Sequence, residues 1–265
     1  MHPMLNTAVK AARGAGAVIM RHLDLLDRLT VENKGLKDYV SEVDRLAEAE
    51  IIRVLRFAYP NHGILAEETG EHAGDDYLWI IDPLDGTTNF LHGFPQFAVS
   101  IGLQHKGKFE QAVVFDPTRN ELFTSTRGSG AHLNDRRIRV SRVKDLEYAL
   151  LGAGFPFRSH AYTEAWLNTL RELMLRSSGI RRPGSAALDL AYVACGRYDG
   201  FWEFGLQPWD MAAGALLIEE AGGLVGDFAG AQNYLKSGNI VAGNPKIYPE
   251  MLRLIQPHLP ESLKN

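Results

Sequence analysis

Carboxylates stand at the ends of several apolar segments of this 265-residue chain. Asp82 and Asp85 follow Trp79-Ile80-Ile81, and Glu67-Glu68 follow Ile64-Leu65-Ala66. Asp210 stands behind Pro208 and Trp209, and Asp38 and Asp44 flank the start of a helical stretch. Hard divalent cations such as Mg2+ take carboxylate oxygens, backbone carbonyls and water. A two-metal hydrolytic site needs several acids gathered around ions about 3.5 to 4 Å apart. Asp82 at a strand end, with Asp85 round a tight turn, could bridge two such ions. Pro83 would stiffen that turn, Gly86 would let the backbone approach, and Leu84 could lend its carbonyl. The chemistry this suggests is metal-dependent phosphoryl hydrolysis.

Each acid also has an ordinary use. Glu67-Glu68 could be a solvated pair, and Asp210 a helix N-cap beside free N–H groups. Asp44 fits a capping box in Ser41-Glu42-Val43-Asp44, and Asp85-Gly86 is a common turn dipeptide. Those readings must be invoked one by one, whereas a single site explains the acids together. Other chemistries find less support. The glycine stretches at 14–18, 128–133 and 152–155 lack the third glycine of a dinucleotide fingerprint, and no phosphate-binding Gly-x4-Gly-Lys-Ser/Thr occurs. The nine histidines contain no His-Glu-x-x-His pair. Asp82-x-x-Asp85-Gly lacks the alternating acids and closing Glu of a calcium loop. An aspartyl-phosphate phosphatase would want its two aspartates one residue apart.

The elements that must carry these acids follow from periodicity. Leu5, Val9, Ala12, Ile19, Leu23 and Leu26 predict an amphipathic helix over 4–29, weakened at Gly14 and Gly16. A second helix runs from Ser41 to Tyr59, where Pro60 stops it. Strands are predicted at 63–66, 77–81, 97–104, 109–115 and 121–126. The second half alternates: helix 160–176, strand 179–182, helix 185–195, strand 198–204, helix 209–221, strand 239–242, and a last helix after Pro245. Consecutive strands followed by alternation imply stacked sheets and helices rather than a simple doubly wound sheet. A junction between two tightly packed halves would fall near Arg142 to Leu150.

Composition sets the class. Hydrophobic residues make up 45% and charged residues 23%, as in an ordinary globule. A net charge of -4 argues against a broad basic nucleic-acid surface. The run Arg136, Arg137, Arg139, Arg142 could be a contact surface or simply a solvated face. The single Cys195 excludes an internal disulfide and fits a reducing cytoplasm. No apolar run approaches the ~18 to 20 residues of a membrane span, and no signal-like block opens the chain.

Taken together, "DPLDGTTNFLHGFPQFAVSI", "WDMAAGALLIEEAGG", "ILAEETGE" and "RRPGSAALDLAYVACGRYDGFWEFGLQPWD" resemble the motifs of the inositol monophosphatase family. That family lies within the magnesium-dependent, lithium-sensitive phosphatase superfamily. The resemblance covers nearly the whole chain in order and is nearest to a bacterial inositol-1-monophosphatase branch. It implies an α/β (α+β) fold, a layered αβαβα sandwich of the sugar-phosphatase type, as one domain over 1–265 with halves of about 1–145 and 146–265.

By position, the resemblance implies that Glu67, Asp82 and the Leu84 carbonyl hold a first Mg2+. Asp82, Asp85 and Asp210 would hold a second, and Glu67 would help a third through water. Thr87, oriented by Asp44, would position the attacking water, so Glu67, Thr87 and Asp44 are the catalytic candidates. Gly86 and Thr87 would present backbone and hydroxyl donors to the substrate phosphate, with Leu84, Asp85 and Asp210 also counted among the substrate-binding residues. Gly184, Ser185, Ala186, Glu203 and Arg181 would contact a small phosphorylated polyol; Ser185 stands where many relatives carry threonine. The resemblance further implies a homodimer. It also brings an alternative role in ribosomal RNA transcription antitermination and RNA processing, through the elongation factor NusA and RNA polymerase.

Overall fold

The computed structural model describes residues 2–26, 31–35, 38–156 and 160–263, the side chains of 31–41 excepted. Helix α1 (Pro3–Leu23) precedes a hairpin of β1 (Val31–Gly35) and β2 (Asp38–Ser41), then α2 (Glu42–Ala58). Strands β3 (Gly63–Ala66), β4 (Gly70–His72) and β5 (Tyr77–Asp85) lead to the short α3 (Thr87–Leu91). A run of β6 (Ala98–His105), β7 (Lys108–Asp116), β8 (Glu121–Thr126), β9 (Gly130–Leu133) and β10 (Arg136–Ile138) follows. Then come β11 (Leu150–Ala153), α4 (Thr163–Met174), β12 (Gly179–Arg181), α5 (Ala186–Ala194), β13 (Gly200–Glu203) and α6 (Pro208–Glu220). The chain continues through β14 (Leu224–Gly226), α7 (Tyr234–Ser237), β15 (Ile240–Gly243) and α8 (Ile247–Ile255).

Eight strands form one sheet in the order β10-β9-β8-β7-β6-β5-β3-β4, and five form another in the order β12-β11-β13-β15-β14. The first is antiparallel except where β3 runs parallel to β5. Period-two alternation assigns its side chains to two cores. Trp79, Ile81, Val99, Ile101, Val113 and Phe115 face α1 and α2. Ile80, Ala98, Ala112, Val114 and Phe123 face α5 and α6, whose other side meets Phe201 and Ala242 of the small sheet. Trp202 and Val241 point the opposite way, against α4 and α8. The layers therefore run α–β–α–β–α, and β5 is apolar at successive positions because both of its faces are covered.

Several expectations shift. The first helix ends at Leu23, where the N–H of Asp24 returns to the His22 carbonyl; residues 27–29 of its expected course lie outside the described residues. Gly16 belongs in that helix because α1 lies close on the sheet: a Cβ there would come 2.6 Å from the Phe115 ring. The side chains of Asp38 and Ser41, and with them the proposed cap of α2, lie outside the described residues. β1, β2, β4, β9 and β10 carry too few apolar residues for periodicity to register, and β11, four residues without a polar side chain, shows no alternation. Among the described residues no helix is long and apolar enough to cross a membrane.

Candidate active site

The acids of β5 are brought to one face by a bulge. Asp82 lies opposite Ser100 and Asp85 opposite Ala98, so β5 spends three residue steps where β6 spends two. On a regular strand, residues three apart point to opposite faces. The extra residue in Pro83-Leu84 turns Asp85 to the side of Ile80 and Asp82, and proline suits a place where the ladder is interrupted. Helix α6 starts against that same face, its Trp209 carbonyl accepting from the Ser100 hydroxyl at 3.2 Å. Asp210 is the third residue of α6 rather than its N-cap: Gln207 caps the helix, and Asp210 Oδ2 accepts the Gln207 N–H at 2.7 Å in a capping box. Asp82, Asp85 and Asp210 each present a carboxylate oxygen within 4.8 Å of the others.

Glu67 lies on the turn after β3, parallel to β5, and its N–H donates to the Ile81 carbonyl at 3.2 Å. That turn is held by a residue sequence reasoning did not single out. Glu48, 1% exposed on α2, accepts the N–H of Glu68 at 2.8 Å and of Thr69 at 2.9 Å, one with each oxygen. One helical turn earlier, Asp44 accepts the Thr87 hydroxyl at 2.9 Å. Residues four apart share a helix face, so α2 steadies both acidic turns at once.

The turn after β5 is tightly built. Asp82 Oδ1 accepts the Leu84 N–H at 3.0 Å, and the Leu84 carbonyl lies 3.1 Å from the Thr87 hydroxyl. Gly86 has φ of 98°, and a Cβ there would stand 2.8 Å from the Gln96 carbonyl, so no other residue fits. Asn89 Nδ2 donates to the carbonyls of Gln96, Pro183 and Gly184, tying α3 to the loop before α5. Phe90 packs edge-on against Phe97 in the core.

Asp85 joins the two halves of the chain. Its Oδ2 accepts the Ser185 hydroxyl at 2.5 Å and the Ala187 N–H at 2.8 Å, and so takes up free donors at the start of α5. The Ser185 hydroxyl is therefore committed to Asp85 rather than turned toward a ligand. Glu67, Asp82, Leu84, Asp85, Gly86, Thr87, Gly184, Ser185, Ala186, Glu203 and Asp210 all line one cavity of about 450 Å³. Arg181 does not line it. Arg182, one residue on, does, because neighbouring side chains leave an extended chain in opposite directions. Asp189 and Phe155 line it as well; neither carried a motif signal, Asp189 reading only as a polar residue within a helix.

The charge balance is lopsided. Burial, then Glu67, Asp85 and Asp210, drive the Asp82 carboxyl well above the usual range. Burial and Asp210 push Asp85 up to about 7, against the hydrogen bonds from Ser185, Ala187 and Ala186. Like charges this close resist joint ionisation. The donor set is carboxylate and carbonyl oxygen, with no histidine or cysteine among the clustered ligands. Such a set fits a hard divalent cation, which would relieve the repulsion that raises both groups.

Known proteins resemble this chain over nearly its whole length. A Pseudomonas aeruginosa protein named Nus factor SuhB is 59% identical over 270 residues, covering 100% of both chains. The crystal structure of extragenic suppressor protein suhB from Bartonella henselae superposes with a TM-score of 0.94 at 48% identity, covering 96% of this chain and 99% of that one. An inositol monophosphatase from Anabaena superposes with a TM-score of 0.85 at 40% identity, with 97% of each chain covered. Residues 1–260 match the family description, and the chain belongs to the inositol monophosphatase family.

Proposed function

We propose that the chain is a Mg2+-dependent phosphoric monoester hydrolase acting on inositol monophosphate or a related small polyol phosphate. The observation that carries this reading is the convergence of Asp82, Asp85 and Asp210 on the wall of a cavity wide enough for a small ester. Glu67, Asp82 and the Leu84 carbonyl would hold one Mg2+, Asp82, Asp85 and Asp210 a second, with Glu67 assisting a third through water. Bound there, the ions would supply Lewis acidity and neutralise phosphate charge.

The chain's own groups supply positioning. The Thr87 hydroxyl donates its proton to Asp44, which leaves the Thr87 oxygen free to accept from a water and so hold it for attack. Gly86, without a side chain, leaves its backbone open to a phosphate oxygen, and the start of α3 favours negative charge only weakly because the helix is short. Gly184, Ala186 and Glu203 border the alcohol side, with Ser185 acting through Asp85. Phosphoryl transfer depends on positioning and charge neutralisation, and the protein side of that work is done by groups locked in hydrogen bonds. The test is phosphate release from inositol-1-phosphate with Mg2+, with and without lithium. Full turnover in excess chelator would sink the metal mechanism.

A second reading is favoured by the name of the P. aeruginosa relative, a Nus factor. On it the chain works in ribosomal RNA transcription antitermination through NusA and RNA polymerase, with catalysis dispensable. Exposed Arg136 and Arg137 on the sheet-edge strand β10 offer a contact surface. Complementation of a deletion strain by Asp85→Asn separates the readings: growth restored by the inactive variant favours the partner role. A homodimer and a cytoplasmic location belong to both readings and are tested by light scattering and fractionation.

A further inference from the structure

The wall of the cavity formed by α5 contains a carboxyl group that the phosphatase reading leaves without work. Asp189 is 1% exposed, lines the cavity, and its Oδ1 has no hydrogen-bond partner. A buried, unpaired carboxylate oxygen is costly, since the group loses its hydration and receives nothing in exchange. Structural needs do not account for it. Asp189 lies within α5, whose free N–H groups donate to Asp85 instead.

Its surroundings name the ligand chemistry. Glu203 and Asp85 bring negative charge toward Asp189, and Arg182 brings the only positive charge in that group. Arg182 lines the same cavity and stacks over the Phe155 ring at 3.7 Å, with no hydrogen bond or ion pair among the described residues. The stacking fixes the guanidinium plane while its N–H groups remain available. Burial, then Glu203 and Asp85, hold the Asp189 carboxyl well above the usual range. Its unpaired Oδ1 still accepts while the guanidinium only donates, and the pair is complementary to hydroxyls, each of which donates once and accepts. Glu203 faces the single guanidinium, so this wall offers no surplus positive charge to a second phosphate.

We propose that Asp189 and Arg182, backed by Phe155, form a subsite for the alcohol half of a phosphate monoester, reading two neighbouring hydroxyls of an uncharged polyol. One hydroxyl donates to Asp189, and its neighbour accepts from Arg182. The inference rests on the phosphatase reading above and assigns the source of its substrate preference. A site with buried polar groups discriminates against ligands that leave those groups unpaired.

The test compares inositol-1-phosphate with phenyl phosphate, which lacks hydroxyls, in the wild type, Asp189→Asn, Asp189→Ala and Arg182→Met. The readout is the ratio of kcat/KM for the two esters. Asp189→Ala and Arg182→Met each lower this ratio tenfold or more, chiefly through KM for the inositol ester. Asp189→Asn keeps a carbonyl acceptor and falls in between. Thermal melts confirm folding, and Asp189→Asn melts no lower than wild type because the amide keeps the shape of a carboxyl that burial already disfavours as an ion. If both esters are cleaved and the ratio stays within twofold in every variant, the subsite assignment fails while the phosphatase survives. If the wild type cleaves neither ester with Mg2+, the phosphatase reading fails and takes the subsite with it.

Discussion

The repulsion among the site's carboxylates makes a prediction about stability that needs no substrate. Asp85 has its pKa raised from the ordinary carboxylate range to about 7 by burial and by Asp210. Between those two values the folded protein binds more protons than the unfolded chain, so this contribution to stability is present at low pH and lost as pH rises through 7. An aspartate in the unfolded chain is already ionised by pH 5. At about 1.4 kcal/mol per pH unit, the loss between pH 5 and pH 8 comes to about 3 kcal/mol. Asp85 is 9% exposed, so solvent screening removes little of it. For a chain of this size that corresponds to a fall in Tm of roughly 6 to 12 °C.

Asp85→Asn removes the charge and keeps the shape. Ser185 and Ala187 donate to the same oxygen of Asp85, so the asparagine carbonyl can accept both and turn its amide toward the neighbouring acids. In chelator, melting curves of the wild type from pH 5 to pH 8 should fall more steeply than those of Asp85→Asn by that amount. Asp82, raised partly by Asp85, adds in the same direction. Millimolar Mg2+ should restore the wild type at pH 8 and restore the variant much less, because the added stability follows occupancy. Parallel Tm-against-pH lines for the two proteins in chelator would refute the reasoning, since Asp85 would then carry no strain from its neighbours.

Other consequences follow from single contacts. Asp85→Asn should retain the fold and lose nearly all phosphate release; wild-type activity in this variant would remove Asp85 from the site. Glu48→Gln replaces one of two backbone acceptors with a donor, so the Glu67 turn should loosen. Titration with Mn2+ followed by electron paramagnetic resonance should show weaker binding, by about tenfold, in a protein that still melts cooperatively. Gly86→Ala meets both a positive φ and the Gln96 carbonyl, and should cost at least about 2 kcal/mol in denaturant unfolding. Ser185→Ala removes a hydrogen bond that holds the Asp85 pKa down, so the acid limb of the pH–rate profile should move to higher pH.

Much of the fold was legible because burial leaves a periodic trace. Strands 63–66 and 121–126 lie where alternation predicts them, and the helix around Met211 to Leu217 is apolar all round because it is sandwiched between two sheets. The edge strands were not legible: Gly70–His72 and Arg136–Ile138 are short and polar, held by backbone pairing that any side chains allow. In the site, Asp82, Asp85, Glu67 and Asp210 announced themselves as acids at element ends. Glu48 did not, since an acid in an amphipathic helix looks solvated until the turn it holds is seen across 20 residues of chain. Arg182 was passed over for Arg181 because a motif places a dipeptide but not which of its side chains turns inward.

Residue type and order alone determined which oxygens are available to a cation, which turn must contain glycine, and which segments are apolar enough to be buried. Those are local properties of side-chain chemistry and backbone sterics. Only the tertiary structure decided that the three aspartates meet. Their convergence needs a bulge that reverses the face of Asp85, an α6 N-terminus delivered to the same face of the sheet, and an α5 N-terminus that gives Asp85 its donors. Each of these brings together groups far apart in the chain, through packing whose geometry no short stretch of sequence contains.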